Sequence, residues 1–266
     1  MTILHAFLLG IIQGLTEFIP VSSTAHLLIS EHLLGIPADD AMFSFLVIVQ
    51  LGTIVSLFAF YWKDLLSIVK ATLDFRHSTF ERNLGIYIIV ATIPALLAGY
   101  LLKDAVEALF KQPMLEATIR LFTAAVLLTL AEWLSKKNRD LNSMTWLDAF
   151  IVGLMQVIAV FPGASRSGTT IAGGMFRGFD RPSAARFAFL MSIPVMLAAG
   201  GYEMLDVIQM PNLAQFLPLL AVGFITAAIT GWFAIKWLIN YLSKNSLYVF
   251  AAYCAIVGLI VTMFAS

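Results

Sequence analysis

The chain has 266 residues, of which 60% are hydrophobic and only 12% are charged. An ordinary soluble domain carries about 25% charged residues, so this chain has too little charge to cover a soluble surface of its size. Its 16 basic and 16 acidic residues balance, which excludes the excess of positive charge that a nucleic-acid partner requires. The composition therefore predicts an all-α integral membrane protein that binds no nucleic acid.

Six apolar stretches are long enough to cross a bilayer, which takes about 20 helical residues. In chain order they are 41–62, 83–102, 114–134, 187–202 with an extension toward 210, 207–235 with its helix beginning near 213, and 245–266. They predict six transmembrane helices.

Two further apolar stretches, near 2–34 and 145–178, are each broken in the middle by proline and small residues. The breaks are PVSS at 20–23 and PGAS at 162–165. Each half is too short to span, and irregular backbone at membrane depth is tolerated only when it is buried in protein or lines a cavity. We therefore expect two re-entrant helix hairpins, each entering and leaving on the same side.

The loop charges predict the orientation. Twelve of the 16 basic residues fall in the loops after Trp62, after Leu134, after the second hairpin and after Ile235. The opposite loops hold only Lys103 and Lys111. Because cytoplasmic loops carry the excess of Lys and Arg, the first set of loops is expected to be cytoplasmic and both termini to lie on the outer face.

Internal similarity predicts an inverted repeat within a single membrane domain of residues 1–266. The letters GIIQ at 10–13 match GLMQ at 153–156, and FSFL at 43–46 matches FAFL at 187–190. Each half, about 1–140 and 141–266, then holds one hairpin and three spans. Because three is an odd number of membrane crossings, the second half has the opposite orientation in the membrane. Chance similarity of apolar segments is the alternative. Such repeats place a polar site near the midplane.

The first hairpin carries the polar residues Gln13 and Glu17, four apart and so on one helix face. They could give two oxygen ligands to Mg²⁺ or Ca²⁺ if phosphate oxygens or water complete the shell, or simply hydrogen bond to each other. Ser22, Ser23 and Thr24 begin the next helix, either as caps or as part of a phosphate site.

His26 follows Ser23 by three residues, which allows both side chains to share a face. A serine and histidine pair is the arrangement of an activated nucleophile, although a histidine in a helix can equally be a packed residue.

The second hairpin centres on Arg166 in a compact, glycine-bounded loop. Successive backbone amides in such loops bind anions, and a guanidinium is a bidentate donor to phosphate oxygens. The alternative is an ion pair between Arg166 and Glu17. Glu116 and Arg120 are spaced for a structural ion pair within their own helix.

These residues together indicate a site for a phosphorylated substrate dissolved in the membrane. The chain has no nucleotide-binding motif, so hydrolysis of the substrate's own phosphoanhydride is favoured over use of ATP. Inverted repeats with broken helices also describe secondary transporters, so a transporter or flippase of a phosphorylated lipid or anion is the alternative.

The segments QGLTEFIPVSSTAH at 13–26 and PGASRSGTT at 162–170 closely resemble the two signature segments of the undecaprenyl-diphosphate phosphatases, also called bacitracin-resistance proteins. The resemblance covers essentially the whole chain. It implies a multi-pass enzyme of the bacterial plasma membrane that removes one phosphate from a polyprenyl diphosphate, with a divalent cation as cofactor. It also implies recycling of the lipid carrier of cell-wall synthesis, and bacitracin resistance.

Carried over by position, the resemblance makes Glu17, Ser23, His26 and Arg166 catalytic. Glutamine at position 13 removes one negative ligand from a metal site of Gln13 and Glu17. In the implied mechanism Ser23 attacks the terminal phosphorus and His26 takes its proton; attack by His26 or by water stays open. The expected substrate-binding residues are Ser22, Thr24, Gly163, Ser165, Arg166, Ser167 and Thr169. The glycine-containing segment 222–231 suits packing within one chain or against a second copy in a homodimer.

Overall fold

The computed structural model describes residues 1–37, 39–74, 79–102, 112–159, 164–209 and 213–264. Over these residues the chain is helical, with ten α-helices and one short 3₁₀ turn. The helices are α1 Ile3–Phe18, α2 Ser23–Leu33, α3 Asp40–Leu73, α4 Phe80–Leu101, α5 Pro113–Leu134, α6 Trp146–Ile158, α7 Arg166–Phe176, α8 Arg181–Ile208, α9 Leu213–Leu242 and α10 Tyr248–Phe264.

Five helices of the described residues are long and apolar enough to cross a membrane, which makes the chain a multi-pass membrane protein. They comprise Ala41–Leu73, Phe80–Leu101, Pro113–Leu134, Arg181–Tyr202 and Leu213–Leu242. The predicted sixth span forms α10, whose 17 residues are about 25 Å long, less than the thickness of the hydrocarbon core. Helix α9 begins at Leu213, as predicted, and exposes Ile225, Ile229 and Phe233 along one face.

The first long helix, α3, continues beyond the predicted end at Trp62. Hydropathy marks the stretch without charge, whereas a helix can continue through charged residues that reach water. Lys63 and Asp64 are such residues, and the helix runs on to Leu73. Its geometry is interrupted at Tyr61, where φ is −99° and ψ is 17°, which produces a kink.

Each of the two stretches that were predicted to break holds two separate helices, and residues 160–163 of the second break lie outside the described residues. Helix α1 ends at Phe18 and α2 begins at Ser23, while α6 ends at Ile158 and α7 begins at Arg166. A serine caps the second half in each case: Ser22 accepts from the Ala25 amide at 3.4 Å, and Ser165 accepts from the Gly168 amide at 3.3 Å. Ser22 has a φ of 70°, which lets the chain turn sharply before α2.

Glycines allow the first half of each broken helix to lie directly against another helix. Helix α1 packs on α9, where a Cβ on Gly10 would lie only 2.7 Å from the carbonyl oxygen of Gly223. Helix α6 packs on α4, where a Cβ on Gly153 would lie 2.5 Å from that of Ala91. Larger side chains at either glycine would separate the helices and displace the broken segments that follow.

Buried ion pairs join the elements at the end of the bundle that holds most basic residues. Asp148, at the start of α6, is bound by Arg139 and by Arg177, each at 2.7 Å. Glu132, at the end of α5, is bound by Arg181 and by Lys137. The hydrogen bonds that Arg139 donates to the Asp148 carboxylate raise the pKa of Arg139 above its ordinary value. These carboxylates fix the connection between α5 and α6 against α7 and α8.

Candidate functional site

Glu17, in the last turn of α1, is the centre of the polar cluster. Its Oε1 pairs with the guanidinium of Arg166, at the start of α7. Its Oε2 accepts from Gln13 Nε2 at 2.9 Å and from Ser23 Oγ at 2.7 Å. Only 7% of Glu17 is exposed. Four residues predicted for the site, which lie up to 153 positions apart in the chain, therefore meet at one carboxylate.

The ion pair between Glu17 and Arg166 is the alternative that the sequence left open for this arginine, and it is formed. The helix-spaced hydrogen bond between Gln13 and Glu17 is formed as well. A small cavity of about 10 Å³ adjoins Glu17 and Arg166, and Ser167, Thr170 and Ser192 contribute to its wall. That volume is about the space of one water molecule. The cluster is thus a closed arrangement of charges beside a narrow polar cavity.

The expected hydrogen bond between Ser23 and His26 is not formed. Ser23 lies at the first position of α2, and its hydroxyl turns back to Glu17 at the end of α1. His26 Nδ1 lies 2.8 Å from the Ser22 carbonyl oxygen, and its Nε2 lies 2.8 Å from the hydroxyl of Tyr253 on α10. Both ring nitrogens therefore have partners other than Ser23.

The tautomer of a neutral His26 follows from these two contacts. A carbonyl oxygen can only accept, so Nδ1 carries the proton that bonds to Ser22. Nε2 is then the unprotonated nitrogen and accepts from the Tyr253 hydroxyl. The basic nitrogen of His26 consequently faces α10.

The hydroxyls of the second broken element have several different placements. Thr169 is fully buried and donates to the Ser165 carbonyl at 2.8 Å, so its hydroxyl serves its own helix. Thr170 donates to the Arg166 carbonyl at 2.8 Å and lines the small cavity with Ser167. Ser165 caps α7 and lies 3.4 Å from the Ser167 hydroxyl. These contacts hold Arg166 at a helix start, where backbone amides favour anions.

Of the three remaining residues of the predicted set, the structure describes two. Ser22 is buried as the cap of α2, and Thr24 is exposed. Gly163 lies outside the described residues.

The predicted pair of Glu116 and Arg120 is confirmed, with Nε of Arg120 2.8 Å from Oε1 of Glu116. Arg120 also donates through Nη1 to the Ala164 carbonyl oxygen at 2.8 Å. This contact ties α5 to the backbone two residues before Arg166. The spacing of Glu116 and Arg120 predicted their ion pair. No sequence feature indicated the contact of Arg120 with Ala164, 44 positions away, or that of Tyr253 with His26.

The cluster has the groups that phosphoryl chemistry needs. A carboxylate accepts the proton of a serine hydroxyl, and a guanidinium at a helix start can bind phosphate oxygens. As to a metal ion, the described residues contain no group of three or more His, Cys, Asp or Glu side chains that could hold one. Glu17 and Ser23 bring oxygen atoms together, and Gln13, whose amide nitrogen donates to Glu17 here, would add its amide oxygen after rotation of the amide group. Such a set of oxygens suits a magnesium or calcium ion whose remaining ligands come from substrate or water.

Comparisons with known proteins agree over the whole length of the chain. A family model described as bacitracin resistance protein BacA matches residues 6–260. A protein of Alkaliphilus metalliredigens named undecaprenyl-diphosphatase is 41% identical over 276 residues, covering 100% of this chain and 99% of that protein. Proteins of the same name from Chlorobium phaeobacteroides and Methanobrevibacter smithii are 40% and 37% identical, covering 97% and 99% of the chain and 95% and 98% of their own lengths.

Proposed function

The chain belongs to the bacitracin resistance protein BacA family, and from that membership we propose that it hydrolyses undecaprenyl diphosphate to undecaprenyl phosphate and inorganic phosphate. The relatives named undecaprenyl-diphosphatase match it over 97% to 100% of its length. The observation that carries the proposal is the meeting of Ser23 and Arg166 at Glu17. The activity would recycle a lipid carrier and confer bacitracin resistance.

We propose that the two broken helices are re-entrant hairpins in inverted halves of one domain, about 1–140 and 141–266. The serine caps of α2 and α7 support this, and so do the matching glycine crossings of α1 and α6, each against a helix of the other half. Such a fold brings the hairpin tips together near the midplane. The proposal includes a bacterial plasma membrane location with both termini on the outer face. We also propose that two copies of the chain can form a homodimer through α9.

In the proposed first step, Ser23 Oγ bonds to the terminal phosphorus while the bond from that phosphorus to the bridging oxygen breaks. Polyprenyl phosphate leaves with the electron pair, and the serine proton passes to Glu17. The 2.7 Å contact from Ser23 to Glu17 supports the carboxylate as the base, in place of the histidine expected from sequence. A phosphoserine is the product of this step.

In the second step, water bonds to the phosphorus of the phosphoserine and the bond to Ser23 Oγ breaks. Glu17 returns its proton to the serine oxygen. One proton of the water passes to the Tyr253 hydroxyl, whose own proton moves to His26 Nε2, and His26 later releases a proton to solvent. The orientation of the ring supports this assignment, because Nδ1 is held by Ser22 and Nε2 is the unprotonated nitrogen. Inorganic phosphate is then released.

Arg166 is proposed to bind the phosphate oxygens with the amides at the start of α7. Transition states of phosphoryl transfer are loose, with charge spread over the equatorial oxygens, so fixed donors lower the barrier. The contact from Arg120 to Ala164 supports the position of this helix start. Ser165, Ser167, Ser22 and Thr24 are proposed to line the substrate site.

We propose that Glu17, with Gln13, would hold a magnesium or calcium ion. When bound, such an ion would neutralise charge on the diphosphate. Glutamine at position 13 contributes no charge, so the carboxylate of Glu17 would provide the anionic ligand of the protein.

The decisive experiment is phosphate release by the purified protein in detergent from undecaprenyl diphosphate, with Mg²⁺ and then with excess chelator. Release that the chelator stops is expected. Release that continues in chelator would overturn the metal assignment alone. A folded protein that releases no phosphate in either condition would exclude the hydrolase and favour the transporter or flippase, which leaves its substrate unchanged.

A further inference from the structure

A second, larger cavity lies at the end of the bundle that holds most of the basic residues. Its volume is about 410 Å³, within the range of small-molecule sites. Phe60, Phe80 and Ile239 give it apolar walls, while Tyr61, Arg186 and Asp140 give it polar ones. None of these residues belongs to the cluster around Glu17.

Two polar groups in the wall of this cavity have no hydrogen-bond partner among the residues that the structure describes. The side chain of Tyr61 is 95% buried, since only 5% of it is exposed, yet its hydroxyl has no partner. Arg186 pairs through Nη2 with Asp64 at 2.8 Å, but its buried Nε has no partner either. Buried polar groups are nearly always hydrogen bonded, so two donor groups without partners in the wall of one cavity indicate a ligand.

The backbone around Tyr61 fits the same interpretation. Helix α3 leaves helical geometry at this residue and at no other within its length. A kink inside a helix has a local cause, and a departure from regular backbone often accompanies a functional site. Tyr61 is thus both the place where α3 bends and a member of the cavity wall.

The charges in the wall decide which ligand fits. The free Nε–H of Arg186 and the hydroxyl of Tyr61 are donors for a phosphate oxygen. The charge of Arg186 is already balanced by Asp64, and Asp140 adds an exposed carboxylate. A phosphate dianion would therefore be repelled, whereas a phosphodiester with an attached ammonium group would satisfy both signs.

We infer that this cavity binds the headgroup of an aminophospholipid of the bilayer, with its phosphate on Tyr61 and Arg186 and its ammonium group at Asp140. The apolar walls accommodate the glycerol and the first part of the acyl chains. Arg186 precedes Ser192 by six residues on α8, about 9 Å along the helix, and Ser192 lines the small cavity beside Glu17. The bound lipid would brace the helix that forms one wall of the candidate active site.

The test is native mass spectrometry of the full chain in mild detergent. Phosphatidylethanolamine, phosphatidylcholine and phosphatidylglycerol with identical acyl chains are added separately, together with an undecaprenyl phosphate arm. We expect one tightly retained phosphatidylethanolamine. Tyr61→Phe should weaken its binding about fivefold and Arg186→Gln about tenfold, while Asp140→Asn should remove the preference over phosphatidylglycerol.

Tyr241→Phe is the matched control, because this tyrosine of α9 packs its ring on Trp237 and does not line the cavity. It should bind the lipid as the wild type does. Tyr61→Phe removes a hydroxyl without a protein partner, so it should fold with an unchanged Tm in lipid-free detergent. Equal retention of all lipids, no effect of Tyr61→Phe, or stronger retention of undecaprenyl phosphate that Tyr61→Phe weakens would overturn the inference.

Discussion

Ser23 Oγ lies 2.7 Å from Oε2 of Glu17, and this contact joins the end of α1 to the start of α2. The same carboxylate pairs through Oε1 with Arg166, so one side chain is shared by a hydroxyl nucleophile and a phosphate-binding group. This relationship makes Glu17 the residue that couples the two broken helices.

Ser23→Ala removes the proposed nucleophile, and activity should fall by roughly 10³-fold or more, because no other hydroxyl is placed on Glu17 by the described contacts. The measurement is phosphate release from undecaprenyl diphosphate, with rapid acid quench of the wild type to detect a phosphoserine. Ser30→Ala is the control, since Ser30 lies on the same helix and donates to the His26 carbonyl. A Ser23→Ala protein with most of its turnover would show that water or His26 attacks.

Arg166→Lys should retain a positive charge but lose activity by roughly 10²-fold, because an ammonium group cannot give the planar pair of donors that phosphate oxygens accept. The loss should appear in kcat more than in KM, as expected for contacts that strengthen in the transition state. Steady-state kinetics measure the two constants. Arg82→Lys, at the start of α4 and away from the cluster, provides the comparison and should be nearly silent. A change confined to KM would assign Arg166 to ground-state binding.

The broken helices and the polar residues of the site could be predicted from the sequence, because proline-containing breaks and ionisable residues are rare in apolar segments. Proline and small residues located both broken helices, and an intramembrane Glu17 and Arg166 indicated function. The end of α3 was wrong by 11 residues, since the stretch without charge reports where the chain meets water and not where helical hydrogen bonding stops.

The partner of His26 could not be predicted in the same way. Tyr253 is 227 positions away, in a helix whose other residues are almost all apolar, so nothing local distinguishes it from an interfacial aromatic residue. The spacing of Ser23 and His26 permits a shared face, but Glu17 provides a charged acceptor for the serine, and a charge-assisted hydrogen bond is stronger. The contact of Ser23 with Glu17 therefore forms in place of the pair of Ser23 and His26, although local spacing permits both.

Asp148→Ala should destabilise the protein by about 3 kcal/mol, because it leaves Arg139 and Arg177 without the carboxylate that both bind. Thermal unfolding in detergent is the measurement, and residual activity at low temperature should stay close to that of the wild type. Asp140→Ala is the control: Asp140 is exposed and caps only a short turn, so its loss should lower the stability far less than the loss of Asp148. Equal losses for both variants would contradict the role of the buried carboxylate.

Tyr253→Phe removes only the hydroxyl that donates to His26 Nε2. The imidazole then keeps one of its two positioning contacts but loses the hydroxyl that passes the proton of water to Nε2, so kcat should fall about tenfold. Tyr248→Phe is the matched control, because both tyrosines lie on α10 and are similarly exposed, Tyr248 by 45% and Tyr253 by 43%. Its activity should be unchanged.

The effect of Tyr253 is expected to pass through His26, and a double-mutant cycle tests this directly. In a His26→Gln background, Tyr253→Phe should cause almost no further loss, because the group that it orients is absent. Additive losses in kcat would mean that the hydroxyl acts on the substrate or on the packing of α10. The Tm of each variant, measured in the same detergent, separates these outcomes. Loss of one hydrogen bond at a half-exposed tyrosine should change the stability by no more than about 1 kcal/mol. A tenfold loss of kcat at unchanged Tm therefore shows that Tyr253 acts through His26.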